Sequence, residues 1–326
     1  MASIKTLYMS ATGCSTIISI NTSGDYHGPC QQALIECVST SLNVGDECVV
    51  DIGYADNHQV QLTGYVKEIN PTHPQGTYRV RVFDRLILAS DFLVVSDDPN
   101  APLTYNNIQA EDLVGNVLAL ASITDYSGDH PGFTFGVNNP VKVQLVKSWD
   151  FVRQVCHMLA WWCYAGPGGR VYFTSRKPYP VGGDSSSHTF TKGTSGDLLI
   201  TNHTRSDEKM RNKVVVYGYD GLSATAQASP PAGIALPSGF YKAAVIAYPD
   251  IIDNQEMAQQ TAEYNLALLN RVTETITLDS VGIPGLARGD IVDIDFSATV
   301  TGTWFVYECS HTINRSGYKT HCVLSK

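Results

Sequence analysis

Short stretches of this chain alternate apolar and polar residues, the period-two signature of half-buried strands. Gln61-Leu62-Thr63-Gly64-Tyr65-Val66 and Tyr78-Arg79-Val80-Arg81-Val82 alternate in this way, with turn signals at Asn70-Pro71 and Pro74-Gln75-Gly76. Further strands are predicted at Arg170-Val171-Tyr172-Phe173-Thr174-Ser175 and at Lys213-Val214-Val215-Val216-Tyr217-Gly218-Tyr219. Helical spacing appears three times. Asn107 is placed to cap a helix to about Leu120 that buries Ile108, Leu113, Val117 and Leu120. Ser148 is placed to cap Trp149 to Tyr164, which Gly166-Pro167-Gly168-Gly169 would stop, and Asp253 to form a capping box with Glu256 in a helix to Arg271. The glycine- and serine-rich stretch 181–197 and the stretch 222–239 read as loops.

One β-unit is written twice. Gly45-Asp46, Val50-Asp51-Ile52, Gly64-Tyr65-Val66 and Tyr78-Arg79-Val80 are echoed by Gly289-Asp290, Val292-Asp293-Ile294, Gly302-Thr303-Trp304 and Gly317-Tyr318-Lys319. The spacing from Gly-Asp to Asp-Ile differs by two residues between the copies. A shift of two keeps each side chain on its face, so Asp51 and Asp293 are expected to occupy corresponding exposed positions. With Val292, Ile294 and Phe296 in the core, Asp293 and Asp295 share the wet face. The expected fold is α+β, mainly β: two similar small antiparallel β-barrels around a helix-containing domain. Breaks at Asp97-Asp98-Pro99-Asn100-Ala101-Pro102 and near residue 200 divide it into 1–98, 99–199 and 200–326.

At 326 residues the chain is long enough for several cores, and its 43% hydrophobic share is that of a globular protein. No window approaches the roughly 18 apolar residues of a membrane helix. The start, Met1 to Met9, lacks the apolar run of a signal peptide. With 22 basic and 31 acidic residues, net −9, the chain is not expected to grip nucleic acid through phosphates, although an acidic wall suits a conduit past which DNA slides. Eight cysteines occur without a C-x-x-C pair, so neither a disulfide scaffold nor a zinc motif is indicated. Cys156 and Cys163 read as core on the second helix. Cys309 and Cys322 face each other if Arg315 and Ser316 centre the last hairpin, which would permit a disulfide outside a reducing cytoplasm.

No catalytic constellation emerges. Asp293 and Asp295 have a spacing open to acid and base roles, but no cleft-forming sequence accompanies them. The nine histidines, 27, 58, 73, 130, 157, 188, 203, 311 and 321, lack metal-ligand spacing; His311 and His321 share the last hairpin without a third ligand. Gly166-Pro167-Gly168-Gly169 lacks the Lys-Ser/Thr of a phosphate loop, and no G-x-S-x-G is present. The aromatics Trp149, Phe151, Trp161, Trp162 and Tyr164 read as packing ahead of a ligand platform. No catalytic residue, cofactor or metal is expected.

The run Gly285-Leu286-Ala287-Arg288-Gly289-Asp290-Ile291-Val292, then Gly302-Thr303-Trp304-Phe305-Val306, then Ser310-His311-Thr312-Ile313 before Gly317-Tyr318-Lys319-Thr320, resembles the closing barrel of tail hub proteins. That family comprises the baseplate hubs of tailed bacteriophages, including the late control protein D group, and the hub half of VgrG spike proteins. Leu42-Asn43-Val44-Gly45-Asp46 with Gly64-Tyr65-Val66 resembles the family's first barrel, and Ser148-Trp149-Asp150-Phe151 its intermediate domain. The resemblance implies tail-tube-like barrels, six to a homotrimer, adapting a six-fold tail tube to a three-fold spike. A closed trimer offers six near-equivalent contacts only if each chain is internally doubled. The motif residues are Gly45, Asp46, Gly64, Gly289, Asp290, Gly302, Gly317 and Tyr318, and Asp51, Asp293 and Asp295 are the candidate channel-facing acids. Implied partners are the tail tube, spike, tape measure and other baseplate proteins, with DNA passing unbound. The implied location is the virion tail after synthesis in the host cytoplasm. Because Lys326 follows the last strand directly, the spike is expected to be a separate chain. The rival readings are a hexameric distal tail protein and a carbohydrate-binding or cell-wall-hydrolysing tail component.

Overall fold

The computed structural model describes residues 5–326 apart from 27, 97, 99, 100, 131, 192–198 and 299. Residues 1–4, His27, most of the break at 97–100 and the end of the loop expected at 181–197 therefore lie outside the described residues. Six strands come first: β1 (Leu7–Ala11), β2 (Cys14–Asp25), β3 (Gln32–Thr40), β4 (Glu47–Tyr54), β5 (Asn57–Thr72) and β6 (Thr77–Asp84). They are antiparallel and hydrogen-bonded in the order β1-β4-β5-β6-β3-β2. Thr12 and Gly13 alone join β1 to β2, the two outermost strands. Laid flat, six strands span about 24 Å, whereas a two-residue link reaches about 10 Å. The sheet must therefore curl into a barrel, and inside it Ile20, Ile35, Val50, Ile52, Val66, Val80 and Val82 are buried.

The middle region holds α1 (Leu86–Asp91), α2 (Ala110–Leu120), α3 (Ser148–Leu159), β7 (Trp162–Ala165) and β8 (Val171–Thr174). Two helix expectations are corrected here. Asn107 has a left-handed φ of 46° and does not cap α2, which starts at Ala110. α3 stops at Ala160, whose φ of 52° turns the chain out of the helix. Trp162, Cys163 and Tyr164 then pair with β8, a use suited to aromatic side chains. The 166–169 glycine run is thus a hairpin turn, and Cys163 is buried on a strand.

The chain continues through β9 (His188–Thr191), β10 (Leu199–Ser206), β11 (Lys213–Tyr217), β12 (Ser223–Gln227), β13 (Ala243–Ala247) and α4 (Gln255–Leu269). It ends in β14 (Thr273–Val281), β15 (Ile291–Ser297), β16 (Val300–Asn314) and β17 (Gly317–Ser325). The 181–197 and 222–239 stretches therefore contain strands β9 and β12. Asp253 is not the cap of α4: Asn254 accepts the Met257 N–H at 2.8 Å, while Asp253 accepts the backbone N–H groups of Asn138 and Asn139 at 2.6 and 2.8 Å. Val214, Val216, Ala224, Ala226 and Ile246, with Met257 and Ala258 of α4, share one core with α2 and α3. Residues 213–269, expected in the last domain, pack with the middle one.

What remains is a second six-strand run in the order β9-β15-β16-β17-β14-β10. Its outermost strands, β9 and β10, are again consecutive in the chain. Its core holds Phe190, Ile276, Leu278, Val292, Ile294, Trp304, Val306 and Leu324. Strand for strand the order repeats the first barrel: β9, β10, β14, β15, β16 and β17 stand where β1 to β6 stand. Two differences remain: β9 pairs with β15 in parallel, where β1 meets β4 antiparallel, and residues 207–272 are inserted where β2 passes directly to β3.

Candidate functional site: the joint between the barrels

The duplicated Gly-Asp motif is built twice with the same bonds. Gly45 N–H donates to Val66 O and Val66 N–H to Asp46 O, at 2.8 and 2.9 Å; Gly289, Val306 and Asp290 repeat both distances. Each glycine is left-handed, φ 97° and 92°, where a side chain would be strained. Each aspartate then accepts the N–H three residues back, from Asn43 at 2.7 Å and Ala287 at 2.8 Å. At Asp290 burial pushes the carboxyl up to about 6.

These bonds set the alignment and correct the one read from sequence. Gly45 matches Gly289, so Asp51 matches Asp295 and not Asp293. Val66 matches Val306, so Gly64 matches Trp304, and Gly302 matches Leu62. The two glycines serve different ends. A Cβ on Gly64 would lie 1.8 Å from Phe83 O, whereas Gly302 has φ 94°. Both copies carry a β-bulge directly after the matched valine, between Val66 and Glu68 and between Val306 and Glu308. Pairing carries the match onward: Val82 corresponds to Leu324, Ala33 to Ile276 and Thr22 to His203.

The barrels are joined edge to edge. Residues 19–25 of β2 pair antiparallel with 308–314 of β16, from Ser19 opposite Asn314 to Asp25 opposite Glu308. One continuous sheet thus crosses both copies. On its inner side Thr22, Cys309, His311 and Ile313 are buried; on the other side Asn21 and Thr312 are exposed and Ser23 and Ser310 partly so. The last hairpin turns at Arg315-Ser316 as expected, and its Ile313 and Tyr318 pack into the first barrel's core.

Arg288, beside the second Gly-Asp turn, locks the joint from within. It is 5% exposed and donates to Asp25 O at 2.7 Å and to Asp84 Oδ2 at 3.2 Å. Asp84 also accepts N–H bonds from Gln31 and Leu86, at 2.6 and 3.0 Å. Burial pushes its carboxyl up to about 6, against the pull of Arg288 and those N–H groups. Trp162 lies under Arg288, 5.9 Å from guanidinium carbon to ring centroid, and packs on Tyr26 and Phe305. The aromatic cluster therefore ties the middle domain to both barrels. Arg288 was visible only as a motif neighbour and Asp84 was missed; the signal was a charge before Gly289-Asp290 where the first copy has Val44.

The three acids singled out from sequence sit away from the joint, on β4 and β15. Asp51 is 2.8 Å from the ring of His58, on which Tyr8 stacks. Asp293 accepts hydroxyls from Ser186 and Thr303 at 2.6 and 2.8 Å, which hold its carboxyl below the usual range. Asp295 is exposed. His311 and His321 face opposite sides of the hairpin. His311 is buried, bonding Leu286 O at 2.8 Å and the hydroxyls of Tyr318 and Thr320, and burial brings it down to about 4; His321 pairs outside with Asp279 at 2.6 Å. Cys309 and Cys322 are directly opposite, with free thiols 3.6 Å apart. Among the described residues no group of three or more His, Cys, Asp or Glu is placed to hold a metal.

No protein-family model and no curated protein matches the sequence. Solved structures do match. A tail protein from Neisseria meningitidis MC58 aligns at TM-score 0.68 and 13% identity over 98% of this chain and 96% of that one. The 43 kDa tail protein of prophage MuSo2 from Shewanella oneidensis gives 0.67 and 12%, over 98% of each chain. The fold is that of phage tail proteins. An E. coli type VI secretion component, the c3393 protein, has it too, at TM-score 0.60 and 8% identity over 97% of this chain and 76% of that one.

Proposed function

We propose that the chain is a structural, non-enzymatic hub subunit of a phage tail baseplate, adapting a six-fold tail tube to a three-fold spike. The observation that carries this reading is the doubled six-strand topology, joined side by side through β2 and β16. Three such chains in a ring present six near-equivalent barrels, which one barrel per chain could do only as a hexamer. The working division is a first barrel to residue 84, a middle body of 86–187 with 207–272 inserted, and a second barrel from 188–206 and 273–326. The proposed partners are the tail tube, spike, tape measure and other baseplate proteins, and the proposed location is the virion tail.

DNA would pass along the polar side of the joint without adhering. This side replaces Asp51, Asp293 and Asp295 as the preferred channel wall, because those acids lie on strands that take no part in the joint. Light scattering on the purified chain, with particle classes from electron micrographs, tests the reading. Three chains of 35.4 kDa in a six-lobed ring are expected. A hexamer, or a monomer that persists with tail tube and spike proteins added, overturns it.

A further inference from the structure

The joint inside the chain uses one edge of β2 and one edge of β16. The matching strands of the other copies, β10 and β5, present the same two edges, and among the described residues no strand pairs with either. β10 ends the sheet order, and beyond Val66 the β4 side of β5 is open. Residues buried at the joint have exposed counterparts there. Thr22 is 2% exposed and His311 1%, while the matching His203 and Pro71 are both exposed. Arg288 is 5% exposed, and Val44 at its place in the first copy is 63% exposed.

We propose that these edges pair between copies of this chain, β10 of one with residues 68–72 of β5 in the next, in the register of the internal joint. Carried over residue by residue, that register sets Ser206 opposite Glu68, Thr204 opposite Asn70 and Asn202 opposite Thr72. Each is a pair of hydrogen-bonding side chains, like Ser23 opposite Ser310 inside the chain. A size exchange supports the fit. At the internal joint the long Arg288 lies against Gly24, where a Cβ would meet its Cδ at 3.5 Å. At the outer edges the arginine is Arg205, in the place of Gly24, and the turn residue is the shorter Val44. Leu199–Ser206 of β10 carries none of the lysines and prolines by which lone edge strands avoid association, and its bulge, between Ile200 and Asn202, sits at one end of the proposed run; Pro71, opposite His203, has no N–H to give, so the ladder there is one bond short.

This pairing builds on the ring reading above and names its contact. The test is the double variant Asn70→Cys/Thr204→Cys, oxidised and run on non-reducing gels beside each single variant and against light scattering of the parent chain. Directly opposite residues have Cβ atoms about 4.5–5.5 Å apart, close enough for a disulfide to form with a small shift. The expected result is a shift from one chain to a reducible three-chain species in the double variant alone. A parent that assembles while the double variant stays uncrosslinked overturns the edge pairing and leaves the ring reading standing. Crosslinking that stops at two chains overturns the ring while keeping the edges as the contact. A parent that never assembles, with no crosslink, overturns both.

Discussion

At the scale of single residues the joint depends on Arg288 and Asp84, both nearly inaccessible to water. Removing one partner of a buried pair leaves the other charge uncompensated, at a cost of about 3–5 kcal/mol. Arg288→Met, which leaves the Asp84 carboxylate without its cation, should lower stability to urea at neutral pH by up to that order, while Asp84→Leu with Arg288→Met should cost less than the two single losses together. His311 gives a pH signature of its own. Its folded value of about 4 lies below the ordinary 6.5, so the unfolded chain takes up a proton first as pH falls. The stability of the neutral, buried imidazole is present above 6.5 and lost as pH drops toward 4, by about 3 kcal/mol at most. Asp84 and Asp290 act oppositely: with folded values near 6, their contribution is present below 3.8 and lost as pH rises through 6. His311→Gln should therefore remove a destabilisation on acidification from pH 6.5 to 4 and leave the opposing slope. Urea midpoints of parent and variant across that range check this; an unchanged difference between them would show that His311 does not titrate in the unfolded chain alone. Neither Arg288 nor His311 could be assigned from sequence, because burial at a joint between segments over 200 residues apart is set by the folded register.

At the scale of elements, strands with strong alternation were legible, as were the helices around Leu113 and Leu159. Errors arose where local pattern competes with backbone conformation. Trp162 to Tyr164 continue a helical apolar stripe, yet a left-handed Ala160 ends the helix before them. β9 has four residues and pairs in parallel, so neither length nor a hairpin turn announced it. Gly64 and Gly302 invited an alignment two residues out of step, since a close approach and a left-handed turn both call for glycine. The open edge of β10 belongs to this scale as well. Arg205→Pro removes an N–H from an edge strand, a position where proline is tolerated. The variant should stay folded by circular dichroism and lose assembly by light scattering; full assembly would show that β10 is not the contact.

At the scale of the whole molecule, the register that matches the barrels also matches the side chains on the water-facing side of their common sheet. Glu68 corresponds to Glu308, Glu36 to Asp279, Asn21 to Asn202 and Ser23 to Thr204. Packing does not require this likeness, since these residues point away from both cores. Around a ring it would repeat six times, as carboxylates spaced among hydroxyls and amides, with Arg79, Arg81 and Lys319 as the cations nearby. Such a wall would offer a polyanion few places to release counterions, so that the proposed passage would be free of adhesion. Replacing Glu36, Glu68, Asp279 and Glu308 by lysine should turn it into an adhesive one. The assembled variant should retain single-stranded or duplex DNA in gel shifts at low salt, with binding that weakens steeply as salt rises, while the parent retains none. The same reversal at Asp51, Asp293 and Asp295 should produce much weaker retention, because those acids stand off the joint. Equal retention from both sets would place the passage elsewhere.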